Sequence, residues 1–112
     1  MLLTALALAC TPIATDGDSV RLCDERIRIA DIDAPEIQGQ CPSERALAIR
    51  ARDRLAVLLR EGEVEYVRVG NRERDRYGRL LRVVVRNGRS IGDQLVAEGL
   101  ARTWSGRREP WC

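Results

Sequence analysis

Residues 25–32, ERIRIADI, alternate apolar and polar side chains, with Ile27 and Ile29 pointing one way and Arg26 and Arg28 the other. A period of two marks a half-buried β-strand and conflicts with the 3.6-residue period of a helix. Pro35 ends this strand, and EIQGQCP follows as a loop broken by Gly39 and Pro42. Ahead of it, ACTPIAT and SVRLC bracket DGDS and read as a β-hairpin, with Gly17 supplying the positive φ expected of such a turn. The chain therefore opens as three strands joined by tight turns.

The period then changes. From Ser43, read as an N-cap with Glu44 in the first turn, SERALAIRARDRLAVLLR places Leu47, Ala51, Leu55 and Leu58 at helical spacing and stops before Gly62. EVEYVRV returns to strand character, GNRERDRYGR is a charged loop, and RLLRVVVR is a strand rich in β-branched residues. Asn87 and Gly88 form a tight-turn signal, and Ser90 and Asp93 start a short helix, IGDQLVAE, that Gly99 stops. With 112 residues there is enough chain for one core and too little for two. Three strands, a helix, two strands and a short helix predict an α+β, mainly β domain: a small five-stranded OB-fold barrel with an inserted helix. The domain is expected over residues 10–112. Residues 1–9, MLLTALALA, read as the remnant of a secretory signal or a lead, far too short for a membrane span.

Composition narrows the chemistry. There is no His, so a general base must be a carboxylate, a Tyr or a metal-bound water, and Ser-His or Cys-His nucleophile schemes are excluded. The net charge of +2 permits a polyanionic partner without demanding one. Cys10, Cys23, Cys41 and Cys112 lack zinc-ligand spacing and read as two disulfides. Three connectivities are open; Cys10 and Cys23 flank DGDS almost symmetrically, which favours their pairing and leaves Cys41 with Cys112 to staple the tail. Disulfides place the protein in an oxidising compartment, secreted or periplasmic.

Three segments gather charge: DGDS with Asp16 and Asp18, RIADIDAPE with Arg28, Asp31, Asp33 and Glu36, and DRYGR with Asp75, Arg76, Tyr77 and Arg79. Each has an ordinary reading alone, as turn chemistry, a solvated strand arginine or a solvated charge run. Together they fit a site. Clustered carboxylates repel unless a cation sits among them, and oxygen ligands suit calcium. Asp18 and Asp33 are the candidate ligands, Glu36 beyond the rigid Pro35 the candidate base, and Arg28 and Arg79 planar forks for phosphate. Asp75 is expected to brace its own loop, and Asp31 to tune the site without ligating.

DGDSVRL, RIRIADIDAPE and DRYGR, in this order and with the helix between the second and third, resemble the thermonuclease (staphylococcal nuclease-like) family over about residues 12–102. The resemblance implies calcium on Asp18, Asp33 and the Ala34 carbonyl, Glu36 as general base, and Arg28 and Arg79 on the phosphate. Tyr77 resembles the family's nucleotide-contacting tyrosine, and Arg76 takes the place of one of its flanking lysines. Trp104 is a looser positional match to a base-stacking aromatic. Ala34 stands where the best known members have Thr, a harmless change if the carbonyl is the ligand, and Ser19 replaces Thr. The prototype's third helix has no counterpart in TWSGRREPWC.

The implied activity is calcium-dependent phosphodiester hydrolysis of DNA and RNA with little sequence preference, unpaired strands preferred, leaving 3′-phosphate ends. A monomer is expected. The alternative is a noncatalytic module of the same fold that only binds nucleic acid or protein, to which retention of all five charged positions runs counter.

Overall fold

The computed structural model describes residues 10–112. The stretch 1–9, with its expected signal remnant or lead, lies outside the described residues. The elements in chain order are β1 (Ile13–Asp16), β2 (Ser19–Leu22), β3 (Glu25–Ile29), β4 (Ile32–Asp33), α1 (Pro42–Arg60), β5 (Glu65–Val67), β6 (Leu80–Arg86), β7 (Arg89–Ser90), α2 (Ile91–Ala97) and β8 (Arg102–Thr103). The main sheet runs β1-β2-β3-β6-β5 with β7 added to β6, and β4 pairs with β8 as a separate ladder. This is the mainly β architecture with two helices expected of the OB-type class.

Only the β3–β6 pairing in the main sheet is parallel. Parallel neighbours need a long crossover, and α1 lies within the connection between them. Val20, Ile27, Ile29 and Val84 from the sheet meet Ala51, Leu55 and Leu58 of α1 and Ile91 and Leu95 of α2 in one core. Burying each of the larger aliphatic side chains contributes about 1.5–3 kcal/mol, so the helical and strand periods are both held by this shared interior.

Several expectations change. Gly17 does not take positive φ. A Cβ there would lie 2.7 Å from Ala51 Cβ and 3.0 Å from Ala34 Cβ, so glycine lets the hairpin press onto α1. The strand expected to run through residue 32 breaks at a turn over Ala30 and Asp31, and resumes as β4. Helix α1 starts at Pro42 with Cys41 as N-cap and no side-chain capping bond, so Ser43 is inside the helix. Pro suits that first turn because its missing N–H would have no helical partner. Ser90 does cap α2, accepting the Asp93 N–H at 3.0 Å. β5 is shorter than EVEYVRV, and the two-residue strands β4, β7 and β8 are too short to carry a period.

Cys10 is bonded to Cys23 and Cys41 to Cys112, the pairing favoured from the sequence. Glu44 lies beside Cys41 and Cys112, but the two sulfurs are joined to each other and offer no thiolate to a metal. Among the described residues no helix is long and apolar enough to cross a membrane.

Candidate active site

Asp18 occupies the β1–β2 turn, 6% exposed, where its own carbonyl accepts the Ile29 N–H at 2.8 Å. That bond ties the hairpin tip to the end of β3. The Asp18 Oδ2 accepts the Ala34 N–H at 3.0 Å and lies 3.6 Å from Arg28 Nη1, while Ser19 Oγ donates to Oδ1 at 3.1 Å. Arg28, whose ordinary reading alone would be a solvated strand arginine, is buried. It alternates with Ile27 and Ile29 as expected, but its face is covered by the hairpin turn and by Trp104, whose ring centroid is 5.6 Å from the guanidinium carbon.

Asp33 ends β4 opposite Arg102 of β8 and is 3% exposed. Burial pushes its carboxyl up; Arg108 opposes this, the Asp18 charge adds to it, and Arg28 again lowers. The Trp111 indole N–H is turned toward Asp33 without completing a hydrogen bond, and both Asp33 Oδ1 and Trp111 Nε1 are buried without a hydrogen-bond partner. A buried carboxylate oxygen without a hydrogen bond is costly; the Arg108 guanidinium, 3.5 Å away, faces it as an ion pair, and the oxygen can serve a cation as a donor atom once that pair opens.

Glu36 follows Pro35 in the loop after β4, and its side chain is 47% exposed. Its position is set by Glu44. One Glu44 carboxylate oxygen accepts the Glu36 N–H at 2.9 Å and the other the Gln40 N–H at 3.0 Å. These two bonds hold the Glu44 carboxyl below its usual range. Gly39 is needed beneath it, because a Cβ there would come within 2.3 Å of the Glu44 Cδ.

The DRYGR loop is clasped by Asp75, which accepts the N–H groups of Tyr77 and Arg79 at 2.9 Å and Arg79 Nε at 2.8 Å. Burial works against its charge, but the bonds from Arg79 outweigh burial and lower its pKa. Arg79 Nη1 reaches Ser19 Oγ at 3.3 Å, which joins this loop to the hairpin beside Asp18. Arg76 and Arg79 lie 5.0 and 5.7 Å from the Tyr77 ring centroid. Arg28, Glu36, Arg76, Tyr77, Arg79 and Trp104 share the walls of an open groove of about 590 Å3. Tyr77 and Trp104 are large, exposed aromatics, so the groove offers flat ring faces to whatever enters it.

Asp31 stands apart from this group. It accepts the Ser90 hydroxyl at 2.6 Å, its carbonyl accepts the Trp104 N–H at 2.9 Å, and it abuts Gly92 at the start of α2. Its contacts join β4, α2 and β8.

Four residues of the site do not stand out in the sequence in these roles. Asp16 reads there as turn chemistry, yet burial, Asp18 and Glu36 raise its pKa from 3.8 to about 6 against the opposing charges of Arg79 and Arg52. Glu44 reads only as a first-turn helix residue. Arg108 Nη1 lies 2.7 Å from Glu36 Oε1 and its Nη2 3.5 Å from Asp33 Oδ1. Partial burial disfavours its charge, but Asp33, Glu36 and Asp18 outweigh it and hold its pKa above the ordinary value. Trp111 directs its indole N–H toward Asp33. The DGD repeat hints at Asp16, but no local pattern brings a tail residue to the end of β4.

Comparison with known proteins identifies the family. The model of the family described as staphylococcal nuclease homologue matches residues 26–110. A protein named micrococcal nuclease from Shigella flexneri is 45% identical over 73 residues, covering 62% of this chain and 37% of that protein. Endonuclease YhcR of Bacillus subtilis is 33% identical over 100 residues, 80% of this chain and 8% of that protein. Endonuclease YncB of the same organism is 30% identical over 93 residues, 80% of this chain and 44% of its own length. The chain thus spans less than half the length of these relatives.

Proposed function

Because the chain belongs to the staphylococcal nuclease homologue family, we propose that it is a calcium-dependent endonuclease acting on the phosphodiesters of DNA and RNA. The observation that carries this reading is that Asp18 and Asp33, close enough to feel each other's charge, are joined through Arg28 and Arg108 to a groove lined by Glu36, further arginines and exposed aromatics. Both aspartates are buried, and Asp33 Oδ1 has no hydrogen bond, which fits an oxygen-seeking cation. Asp18, Asp33 and the Ala34 carbonyl would hold it. Calcium bound there would polarise the phosphoryl group as a Lewis acid.

The remaining roles fall to the chain's own side chains. Glu36 accepts a proton from the attacking water as its oxygen bonds to phosphorus, and the bond to the 5′ oxygen breaks, that oxygen taking a proton from solvent to leave as a 5′-hydroxyl while the other product keeps a 3′-phosphate. Arg28 and Arg79 donate to the nonbridging oxygens, where negative charge grows in the five-coordinate transition state. Arg76 contacts the backbone, and Tyr77 and Trp104 stack bases; stacking is tolerant of sequence and demands unpaired bases, hence a preference for single strands. The two disulfides favour an oxidising compartment, secreted or periplasmic, and the protein acts as a monomer.

The test is cleavage of single-stranded DNA by wild-type protein with calcium, with EGTA, and by Glu36→Ala protein with calcium. Cleavage only in the first condition supports the reading. Activity that ignores both changes would overturn the mechanism, and binding without cleavage in every condition would favour a noncatalytic module.

A further inference from the structure

The C-terminal tail is anchored so that one cation is delivered to the site. β8 pairs with β4 and sets Arg102 opposite Asp33. Arg102 Nη1 then donates to the carbonyls of Glu109 and Pro110 at 3.3 and 3.0 Å, and its guanidinium stacks 3.7 Å from the Trp111 ring centroid. Cys112 is bonded to Cys41, the N-cap of α1, close in sequence to the Glu44 that positions Glu36. Arg108 lies between these anchors. Its two terminal nitrogens address Glu36 and Asp33, the proposed base and a proposed cation ligand, while its side chain also faces the groove with Arg28 and Arg79.

We propose that Arg108 is a tethered competitor for the divalent cation, covering Asp33 and Glu36 until the cation displaces its guanidinium into the groove toward the substrate backbone. The proposal rests on the functional reading above. Its physical basis is that a guanidinium held 3.5 Å from Asp33 Oδ1 and paired with Glu36 opposes, by like-charge repulsion, a divalent cation taking up the Asp33 carboxylate. Tethering matters because a side chain held at both ends of its segment competes at a high effective concentration. The Cys41–Cys112 bond is the anchor beyond Arg108, so reducing it weakens the competitor without touching a proposed ligand. Cation affinity in this protein therefore depends on the redox state of its tail.

Calcium binding to the whole chain, followed by isothermal titration calorimetry without nucleic acid, tests this. Arg108→Gln should bind calcium roughly two- to fivefold more tightly than wild type, the scale expected for removing one partly exposed opposing charge. The Cys41→Ser, Cys112→Ser double variant, checked for folding by circular dichroism, should shift in the same direction. Equal or weaker calcium binding by Arg108→Gln overturns the proposal, whatever the double variant does. If that result comes with calcium-dependent cleavage intact, only the competitor role falls. If neither wild type nor Arg108→Gln binds calcium, both the competitor and the calcium-dependent reading fall.

Discussion

The buried carboxylate of Glu44 accepts the backbone N–H of Glu36 at 2.9 Å, and this bond, across a loop and into the first turn of α1, sets where the proposed base stands. The same carboxylate also holds Gln40, so the loop is gripped at two points. Replacing Glu44 by Ala releases both. Because misplacing a reacting group by about 1 Å can cost on the order of 100-fold in rate, Glu44→Ala is expected to lower kcat about 10- to 100-fold with little change in KM. Glu44→Gln keeps one acceptor oxygen and should fall between. Steady-state cleavage of a short single strand measures both, and wild-type kcat in Glu44→Ala would refute the positioning role.

Asp33 carries a charge that the folded protein holds at a cost, since burial and Asp18 both raise its pKa. Asp33→Asn removes that cost together with a proposed cation ligand. In EGTA its Tm should match or exceed that of wild type. Added calcium should raise the Tm of wild type, by preferential binding to the folded state, and leave that of Asp33→Asn unmoved. Thermal melts with and without calcium decide this.

Asp16 provides a pH signature. Its pKa is raised from 3.8 to about 6, so the folded state binds this proton more tightly than the unfolded chain does. By linkage, that contribution lowers stability as pH rises through the window from about 4 to about 6, and the loss is complete above it. Asp16→Asn removes this contribution. The Tm of Asp16→Asn minus that of wild type, in EGTA, should therefore grow between pH 4 and 6 and level off above; a difference independent of pH would rule out the shift.

Gly17 serves by its lack of a side chain, with a would-be Cβ 2.7 Å from Ala51 Cβ and 3.0 Å from Ala34 Cβ. Gly17→Ala should push the hairpin tip off α1 and cost about 1–3 kcal/mol, the usual range for overpacking. Asp18 sits on that tip, so calcium affinity should fall as well. Denaturant melts and calorimetry read the two effects, and loss of stability without loss of affinity would separate the tip from the site.

Much of this protein is legible in one dimension because its signals are local. The two-residue period through Ile27 and Ile29, the helical spacing of Ala51, Leu55 and Leu58, and the turn at Asn87 and Gly88 each depend on neighbours a few residues away, and the core buries those same faces. The motifs containing Asp18, Arg28, Asp33, Glu36 and Arg79 likewise announce themselves as short strings, and their order along the chain implies the fold that gathers them. The lack of His limits the candidate bases by composition alone.

Tertiary structure decided what depends on residues distant in sequence. Gly17 is glycine because α1 passes beneath it, Arg28 is buried because the hairpin and Trp104 cover a strand face that alternation alone marks as open, and Asp31 turns to α2 through Ser90. Arg108 illustrates the limit most sharply. In sequence it is one more arginine in a short polar tail; a disulfide spanning 71 residues and a two-residue strand bring it within 2.7 Å of Glu36. Periodicity reports which face of an element is apolar, whereas the partner of a charge is set by closure of the chain on itself.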